Sequence, residues 1–315
     1  MNVQIILSQM LMLFAMMLIG YFLWKKQWLD EPANQKLSRI VVNIFNPMLV
    51  IYGVLGKSSG GNMNLVLQNL VLMLFFYILL FVCGIVFVLI LRPKKSEKYV
   101  YWLMTIFPNV GFMGIPVISS IFGMESVIYI AFYMLGYNLL LYTLGIFLAR
   151  KAAAEREGFE PPKETQGGQW KRIFNVGVLA SVAAILIFIF QIPVPDSVVK
   201  FCDYIGNATI PLSMILIGVS IAKADLRTIF TNGKMYLYTG LRMVIFPIIV
   251  ITLMKGLPID SMVFGVFALE LAMPVGSIIT LIAKENGADE TCSTNGIVLS
   301  TLLSILTIPI VCMFL

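Results

Sequence analysis

Long apolar runs without charge constrain this chain more than any other feature. Residues 65–91 contain no charged side chain, and residues 235–254 contain one. A run of about 20 apolar residues is long enough for a helix to cross about 30 Å of hydrocarbon. Because lipid offers the backbone no hydrogen-bond partner, a run that crosses it has to be helical. The sequence therefore predicts an all-α membrane protein.

The composition leaves little room for a soluble domain. Hydrophobic residues make up 59% of the 315 residues and charged residues only 12%, against about 25% charged in an ordinary soluble domain. We predict ten transmembrane helices, at residues 5–24, 38–55, 65–91, 100–121, 126–149, 173–191, 201–222, 235–254, 262–283 and 293–314.

Basic residues alternate between the loops that join these spans. Of the 22 lysines and arginines, 18 lie in loops on one side of the predicted membrane. The positive-inside rule makes that side cytoplasmic and places both termini outside, in a multi-pass protein of the plasma membrane. The net charge of +6 does not indicate a nucleic-acid partner, because the basic residues form no stripe with interleaved aromatic residues.

Residue types that bind metals or perform covalent chemistry are scarce. The chain has no histidine, and its four cysteines lie in or near apolar spans without C-x-x-C spacing. We therefore expect no metal site and no disulfide framework. No constellation of nucleophile and base or of paired carboxylates is apparent either, so we expect no cofactor, no catalytic residue and no enzymatic activity.

The longest loop divides the chain into two halves. Residues 151–172 are rich in charge and contain a Pro-Pro and a Gly-Gly pair, which predicts a solvated cytoplasmic linker. Residues 1–150 then form a first five-helix repeat, and residues 173–315 form a second. Because each half has an odd number of spans, the halves have opposite orientations, as in the inverted repeats of many secondary transporters.

Matching motifs support this duplication. Span two contains N-x-x-x-P at Asn43 and Pro47, and span seven contains it at Asn207 and Pro211. A proline leaves a backbone carbonyl without its helical donor, and a nearby amide can satisfy that carbonyl. Two roles therefore stay open for Asn43 and Asn207, repair of the helix and lining of a binding site.

Spans four and nine are interrupted near their middle. Prolines and glycines break residues 108–116, and Pro274 and Gly276 break span nine. Unwound backbone at membrane depth has to be buried in protein or line a cavity. Both breaks lie about 15 Å from the basic residues at the cytoplasmic ends of their spans, at about 1.5 Å per residue. We predict that broken helices four and nine cross, although ordinary kinked helices would show similar residues.

The crossover is the predicted binding site. Each break exposes a half-helix N-terminus that attracts anions, while open carbonyls and the Asn109 amide would serve a polar or cationic group equally well. The substrate-binding candidates are Asn109, Gly111, Gly114, Pro116, Pro274, Gly276, Ser277, Asn43, Asn207 and Arg242.

Two charged residues lie within predicted spans, Arg242 in span eight and Glu270 in span nine. Such a charge costs about 2.5–3.5 kcal/mol at a helix centre on insertion scales, so a role is expected for each. The two side chains would form a structural pair with each other. Alternatively, Arg242 is a fixed cation beside an anion site, and Glu270 is a proton carrier and the candidate coupling residue.

A set of motifs spread over nearly the whole chain carries a family resemblance. They are Pro108-Asn109, Met113-Gly114-Ile115-Pro116, Pro211 with Gly218, Pro274-x-Gly276, and Ala283-Lys284-Glu285. With these motifs the chain resembles the auxin efflux carrier family, which includes plant auxin carriers and bacterial malate and malonate permeases.

The resemblance implies a scaffold part, a transport part with two crossing broken helices, and elevator-like alternating access. It makes Asn109, Pro116, Pro274 and Gly276 crossover residues, and it implies carboxylate substrates. The plant carriers have a second asparagine or glutamine beside the proline of span nine, where this chain has methionine and valine. The long hydrophilic loop of some plant carriers is also absent, which is typical of a bacterial-type permease.

The function expected is a secondary active transporter, a permease or efflux carrier, for a small organic anion such as a malate-, malonate- or auxin-like acid. Its expected partners are that anion, the lipid bilayer and a coupling ion, proton or sodium. Whether the chain forms a homodimer stays open. The alternatives are a cation or proton exchanger and a transporter-like ligand sensor.

Overall fold

Helices account for the regular structure throughout the part of the chain that can be described. The computed structural model describes residues 3–55, 63–156 and 175–315. Within these residues no β-strand occurs, and the all-α prediction is confirmed. The first half contains α1 (Val3–Lys25), α2 (residues 31–52), α3 (Met63–Leu91), α4 (Lys95–Ile106), α5 (Val110–Phe122) and α6 (Met124–Ala154).

The second half also combines long and short helices. It contains α7 (Val176–Phe190), α8 (Asp196–Lys223), α9 (Leu226–Thr231), α10 (Gly233–Met254), α11 (Ser261–Ala272), α12 (Ile278–Glu285) and α13 (Glu290–Cys312). Six of the described helices, α1, α3, α6, α8, α10 and α13, are long and apolar enough to cross a membrane. Three shorter apolar helices, α5, α7 and α11, accompany them.

The second predicted span begins earlier than the sequence suggested. We placed its start at residue 38, whereas α2 begins at Glu31. Asp30 caps this helix by accepting a hydrogen bond from the backbone N–H of Ala33, and Pro32 occupies its first turn. Capping side chains and an early proline favour a helix start even where the residues are polar. Hydropathy alone missed this first, polar part of α2.

Prolines shape several helices by widening a turn. Three of the four π-helical turns in the described residues end two positions before a proline, namely Val41–Phe45 before Pro47, Val110–Gly114 before Pro116, and Leu241–Ile245 before Pro247. Proline offers no N–H to the carbonyl four residues earlier and its ring displaces that carbonyl. A π turn accommodates this by inserting one residue, which also rotates the helix face that follows.

Glycines bring two helix pairs into close contact. A Cβ atom built on Gly20 of α1 would lie 2.0 Å from the carbonyl oxygen of Ile215 in α8, and one on Gly218 would lie 1.9 Å from that of Met17. Only glycine permits this approach, as in other membrane helix pairs. Similarly, a Cβ on Gly206 would lie 2.8 Å from the Cα of Leu49, where α8 meets α2.

The predicted linker lies mostly outside the described residues. Of residues 151–172, the structure describes only those up to Arg156, and Lys151 to Ala154 continue α6 as a helix. The last turn of α6 is tied to its surroundings. Glu155 forms an ion pair with Lys98 at 3.4 Å, and Arg156 donates to the carbonyl of Gly287 at 2.9 Å.

Candidate functional site

Two interruptions of the helical backbone lie at the centre of the molecule. The first, residues 107–109, separates α4 from α5, and the second, residues 273–277, separates α11 from α12. Each contains a proline, Pro108 or Pro274, that cannot donate to a helical carbonyl. Both prolines and the residues beside them are buried, so the unwound backbone is shielded from lipid.

The two interruptions pair directly with each other. The N–H of Asn109 donates to the carbonyl of Pro274 at 2.7 Å, and the N–H of Gly276 donates to the carbonyl of Phe107 at 2.9 Å. The geometry is that of an isolated antiparallel β-bridge. Two backbone donors that the helices cannot use are therefore satisfied by the opposite break, which is the requirement for irregular backbone inside a membrane.

Gly276 is required by this close approach. A Cβ on Gly276 would lie 2.9 Å from the carbonyl oxygen of Phe107 and 3.0 Å from that of Pro108. It would also lie 2.6 Å from the hydroxyl oxygen of Tyr137 on α6. Because two of these atoms belong to the backbone, no side-chain rotation can make room for a larger residue.

A helix outside the two breaks holds the bridge in place. The N–H of Val275 donates to the hydroxyl of Ser300 on α13 at 3.1 Å, and both residues are buried. Ser300 was not among the candidates from the sequence. Its hydroxyl satisfies a third backbone donor of the crossover.

Beside the crossover lies a small pocket with unpartnered polar atoms. The amide nitrogen of Asn109 and the hydroxyl of Thr301 are buried in it, and neither has a hydrogen-bond partner among the described residues. Ser277 contributes a further hydroxyl to the wall. The remaining lining residues, from α8 and α13, are Ile217, Ser220, Ile221, Ile297 and Val298. The pocket has room for about one water molecule.

Arg242 binds the carbonyl ends of both broken helices. Its Nε donates to the carbonyl of Thr105 near the end of α4 at 3.3 Å, and its Nη1 donates to the carbonyl of Leu271 near the end of α11. The side chain is 1% exposed. A guanidinium at these two ends satisfies open carbonyls and faces the negative ends of two helix dipoles. It does not line the pocket of Asn109 and Ser277.

Glu270 is completely buried one turn before Pro274. Neither of its carboxyl oxygens has a hydrogen-bond partner in the described part of the chain, and the structure shows no ion pair with Arg242. The structural pair considered from the sequence is therefore not formed in this conformation. The carboxyl instead lies against Gly114 of α5, where an added Cβ would be 2.8 Å from Oε1.

The other candidates of the first break, Gly111 and Pro116, lie in α5. A Cβ on Gly111 would be 3.5 Å from the amide nitrogen of Asn46, and Pro116 is buried in the first turn of Ile115–Phe122. Asn46 itself is 8% exposed, and its amide oxygen has no partner among the described atoms. The sequence argument overlooked it in favour of its neighbour Asn43.

Asn43 and Asn207 stand apart from the crossover. Both are exposed, and both bond within their own helix, Asn43 to the carbonyl of Arg39 at 2.7 Å and Asn207 to the carboxylate of Asp203. Neither lines the pocket beside the breaks. The structure therefore places Asn43 and Asn207 away from the other eight substrate-binding candidates.

The residues missed by sequence reasoning do leave a signal in α13. Buried hydroxyls recur there at intervals of seven, four and three residues, at Ser293, Ser300, Ser304 and Thr307. Such spacing places them on one face of a helix, and polar residues inside a membrane span face protein rather than lipid. Thr301 adjoins this face.

Comparison with known proteins gives a consistent result. A sequence model of the family described as "Membrane transport protein" matches residues 5–312. A protein of Methanothermobacter thermautotrophicus, named as an uncharacterized transporter, is 27% identical over 310 residues and covers 95% of both chains. Another protein with that designation, from Methanocaldococcus jannaschii, is 24% identical over 305 residues, covering 95% of this chain and 96% of the relative.

The match extends over nearly the whole chain and includes both interruptions. It also agrees with the long apolar helices that the structure describes. The predicted family resemblance is thereby confirmed. The chain belongs to the membrane transport protein family, that of the auxin efflux carriers, and is a multi-pass membrane transporter.

Proposed function

We propose that this chain is a secondary transporter that moves a small organic anion, a mono- or dicarboxylate, across the plasma membrane by alternating access. The observation that carries the proposal is the amide nitrogen of Asn109. It is a hydrogen-bond donor, it is buried at the crossover, and it has no acceptor within the described structure. A buried donor without a partner is costly, and a carboxylate oxygen would satisfy it.

Other groups around Asn109 favour an anion over a cation. The hydroxyl of Thr301 is also without a partner among the described atoms. Ser277 precedes α12 without capping it through its side chain. The start of that helix therefore presents backbone donors and a positive dipole end. Two carbonyls that would attract a cation, those of Thr105 and Leu271, are already bound by Arg242.

We further propose ten spans arranged as two inverted five-helix repeats, residues 1–150 and 173–315, with both termini outside. Equivalent helices of the two halves support this arrangement. Helix α1, the first helix of the first half, packs along α8 of the second half. Helix α7, the first helix of the second half, packs along α2 of the first half. The two breaks also pair antiparallel with each other, as expected for segments related by a twofold axis in the membrane plane.

The size of the pocket bears on the transport mechanism. It holds about one water molecule, whereas a dicarboxylate has several times that volume. Substrate entry therefore requires α8 or α13 to move away from the crossover. We propose that the paired breaks move as one unit against the rest of the protein, because their mutual hydrogen bonds would otherwise have to break.

Uptake by the purified protein in proteoliposomes tests this proposal. The panel contains radiolabelled malate, malonate and indole-3-acetate, with liposomes lacking protein as the control. We expect saturable uptake of at least one acid, competed by its unlabelled form. Failure of every acid in the panel would contradict an organic-anion carrier. Dissipation of a proton or sodium gradient without any organic anion would instead support the exchanger alternative.

A further inference from the structure

Among the described residues, Glu270 is the one buried carboxyl at the crossover, and binding of an organic anion does not by itself involve it. It is 0% exposed, near the end of α11, and both of its oxygens lack partners among the described residues. A carboxylate ion in such surroundings carries a large desolvation penalty. The neutral acid avoids most of that penalty, so the surroundings favour a bound proton.

The carboxyl occupies space left by a missing side chain. A Cβ on Gly114 would lie 2.8 Å from Oε1 and 3.2 Å from Oε2 of Glu270. Gly114 ends the widened turn Val110–Gly114 at the start of α5. Glu270 belongs to the second broken helix and Gly114 to the first. The acid therefore lies at a contact between the two halves of the crossover.

Few titratable groups surround this carboxyl. α10 contributes Arg242, α3 contributes Tyr77, and α6 contributes Tyr133, all of them buried. The hydroxyl of Tyr77 donates to the carbonyl of Tyr133 at 2.6 Å. α5 has no titratable residue, and those of α13 lie near its two ends. Arg242 is therefore the only permanent charge facing the acid from these elements.

One nitrogen donor of Arg242 is not used by the two carbonyls. Its Nε and Nη1 hold the carbonyl ends of α4 and α11, whereas its Nη2 has no partner among the described atoms. The hydroxyl of Tyr133 is likewise unpartnered there. The cluster thus combines free donors with the two free acceptors of Glu270. These donors can bind the carboxylate of Glu270 after it has released its proton.

We propose that Glu270 binds and releases one proton in each transport cycle, an inference that rests on the transport function proposed above. With its proton bound, the neutral acid lies against Gly114. When the O–H bond breaks, the proton passes to water and the carboxylate turns to Nη2 of Arg242. Because the same guanidinium holds both broken helices, the proton state of Glu270 acts directly on the crossover.

The position of Arg242 also favours one of the two possible coupling ions, proton and sodium, over the other. In inverted-repeat transporters, coupling cations bind at the carbonyl ends of broken helices. Here those ends are already bound by a guanidinium. A sodium ion at this position would have to displace a resident cation, while a proton on Glu270 needs no such place. The coupling ion is therefore a proton.

Infrared spectroscopy tests the proton site without any substrate. We expect purified wild-type protein in lipid nanodiscs at neutral pH to show the carbonyl-stretch band of a protonated carboxylic acid. The band should be absent from Glu270→Gln and present in Glu290→Gln, which alters an exposed carboxylate paired with Lys284 at 3.4 Å. If the wild-type protein shows no such band from mildly acidic to mildly alkaline pH, the proposal is wrong, whatever the fate of the variants.

Proteoliposome transport of malate and malonate tests the coupling. Glu270→Gln should keep exchange of external for internal substrate but lose accumulation driven by a proton gradient. Accumulation by this variant, or a requirement of the wild type for sodium over choline, would overturn the inference while leaving the transport function intact. If the wild type neither accumulates nor exchanges any acid, the proposed function fails, and the infrared band still reports on the proton site.

Discussion

The two interruptions that form the crossover share a backbone geometry but differ in their side chains. The first presents an amide, Asn109, to the pocket. The second presents a glycine, Gly276, that fits against the carbonyls of the first. In both cases, the helix that precedes the interruption has a backbone carbonyl near its end that accepts a hydrogen bond from Arg242. The second also carries Glu270 four residues before its proline, where the first has Met104.

This difference indicates that the two interruptions have different roles. In the transport mechanism proposed above, the first interruption would recognise the substrate through a side chain, and the second would supply compact backbone, a helix start and the acidic group. The asymmetry agrees with the methionine and valine that flank Pro274, since neither side chain can donate a hydrogen bond. Substitutions on each side should therefore fail in different ways.

The largest effect on transport is expected from Gly276→Ala. The added Cβ would lie 2.9 Å from the Phe107 carbonyl oxygen, so the paired breaks would have to separate. Overpacking of this kind costs about 1–3 kcal/mol and sometimes more. Transport should be lost and the melting temperature lowered. Gly240→Ala on α10 is the matched control, because a Cβ there meets nothing within 4 Å. Equal behaviour of the two variants would mean that the breaks do not meet at Gly276.

Arg242→Gln tests what the two interruptions have in common. Hydrogen bonds to charged groups contribute about 1.5–3 kcal/mol each, and this variant leaves the carbonyls of Thr105 and Leu271 without their donor. We expect a lower melting temperature and an equal loss of uptake for anionic substrates and neutral analogues. Arg242→Lys, which can reach one carbonyl end, should recover part of the stability. A loss confined to anions would indicate direct contact with the substrate instead.

Asn109→Ala tests the side chain of the first interruption alone. Removing a donor to a carboxylate should weaken binding by about 1.5–3 kcal/mol, or about 10- to 150-fold in the KM for uptake. The fold should persist, because the backbone N–H that bonds to Pro274 remains. Asn43→Ala removes an exposed amide bonded within its own helix and should leave uptake unchanged. Unchanged uptake by Asn109→Ala as well would exclude this amide as a substrate ligand.

Much of the fold was accessible from the sequence. Apolar length predicted the long helices, and proline with glycine predicted both interruptions, because these signals reflect local backbone chemistry. The sequence also predicted that the two interruptions meet, because they lie at similar distances from the basic residues at the ends of their spans. The partners of the interruptions could not be predicted, since three of the hydrogen bonds are made by side chains on other helices. Ser300 accepts from the N–H of Val275, and Arg242 donates to the carbonyls of Thr105 and Leu271.

The exposed position of Asn43 has a specific physical cause. In a regular α-helix, residues 43 and 47 share one face, which here would be that of the buried Pro47. The π turn Val41–Phe45 inserts one residue between them and rotates the face. Asn43 consequently points outward and Asn46 inward. Hydropathy carries no information on helix rotation, and a preceding π turn is recognisable only from the structure.

The smallest effect is expected where the first interruption touches the acid of the second. In Gly114→Ala the new Cβ would lie 2.8 Å from Oε1 of Glu270, but that atom ends a flexible side chain and can move. Replacing a helical glycine by alanine also gains about 0.5–1 kcal/mol, so stability should change little. The displaced carboxyl should nevertheless weaken proton-driven accumulation. Gly111→Ala is the control, because its nearest neighbour would be an ordinary contact at 3.5 Å. If both variants accumulate substrate equally, the position of Glu270 against α5 has no part in coupling, and the two interruptions act together through Arg242 alone.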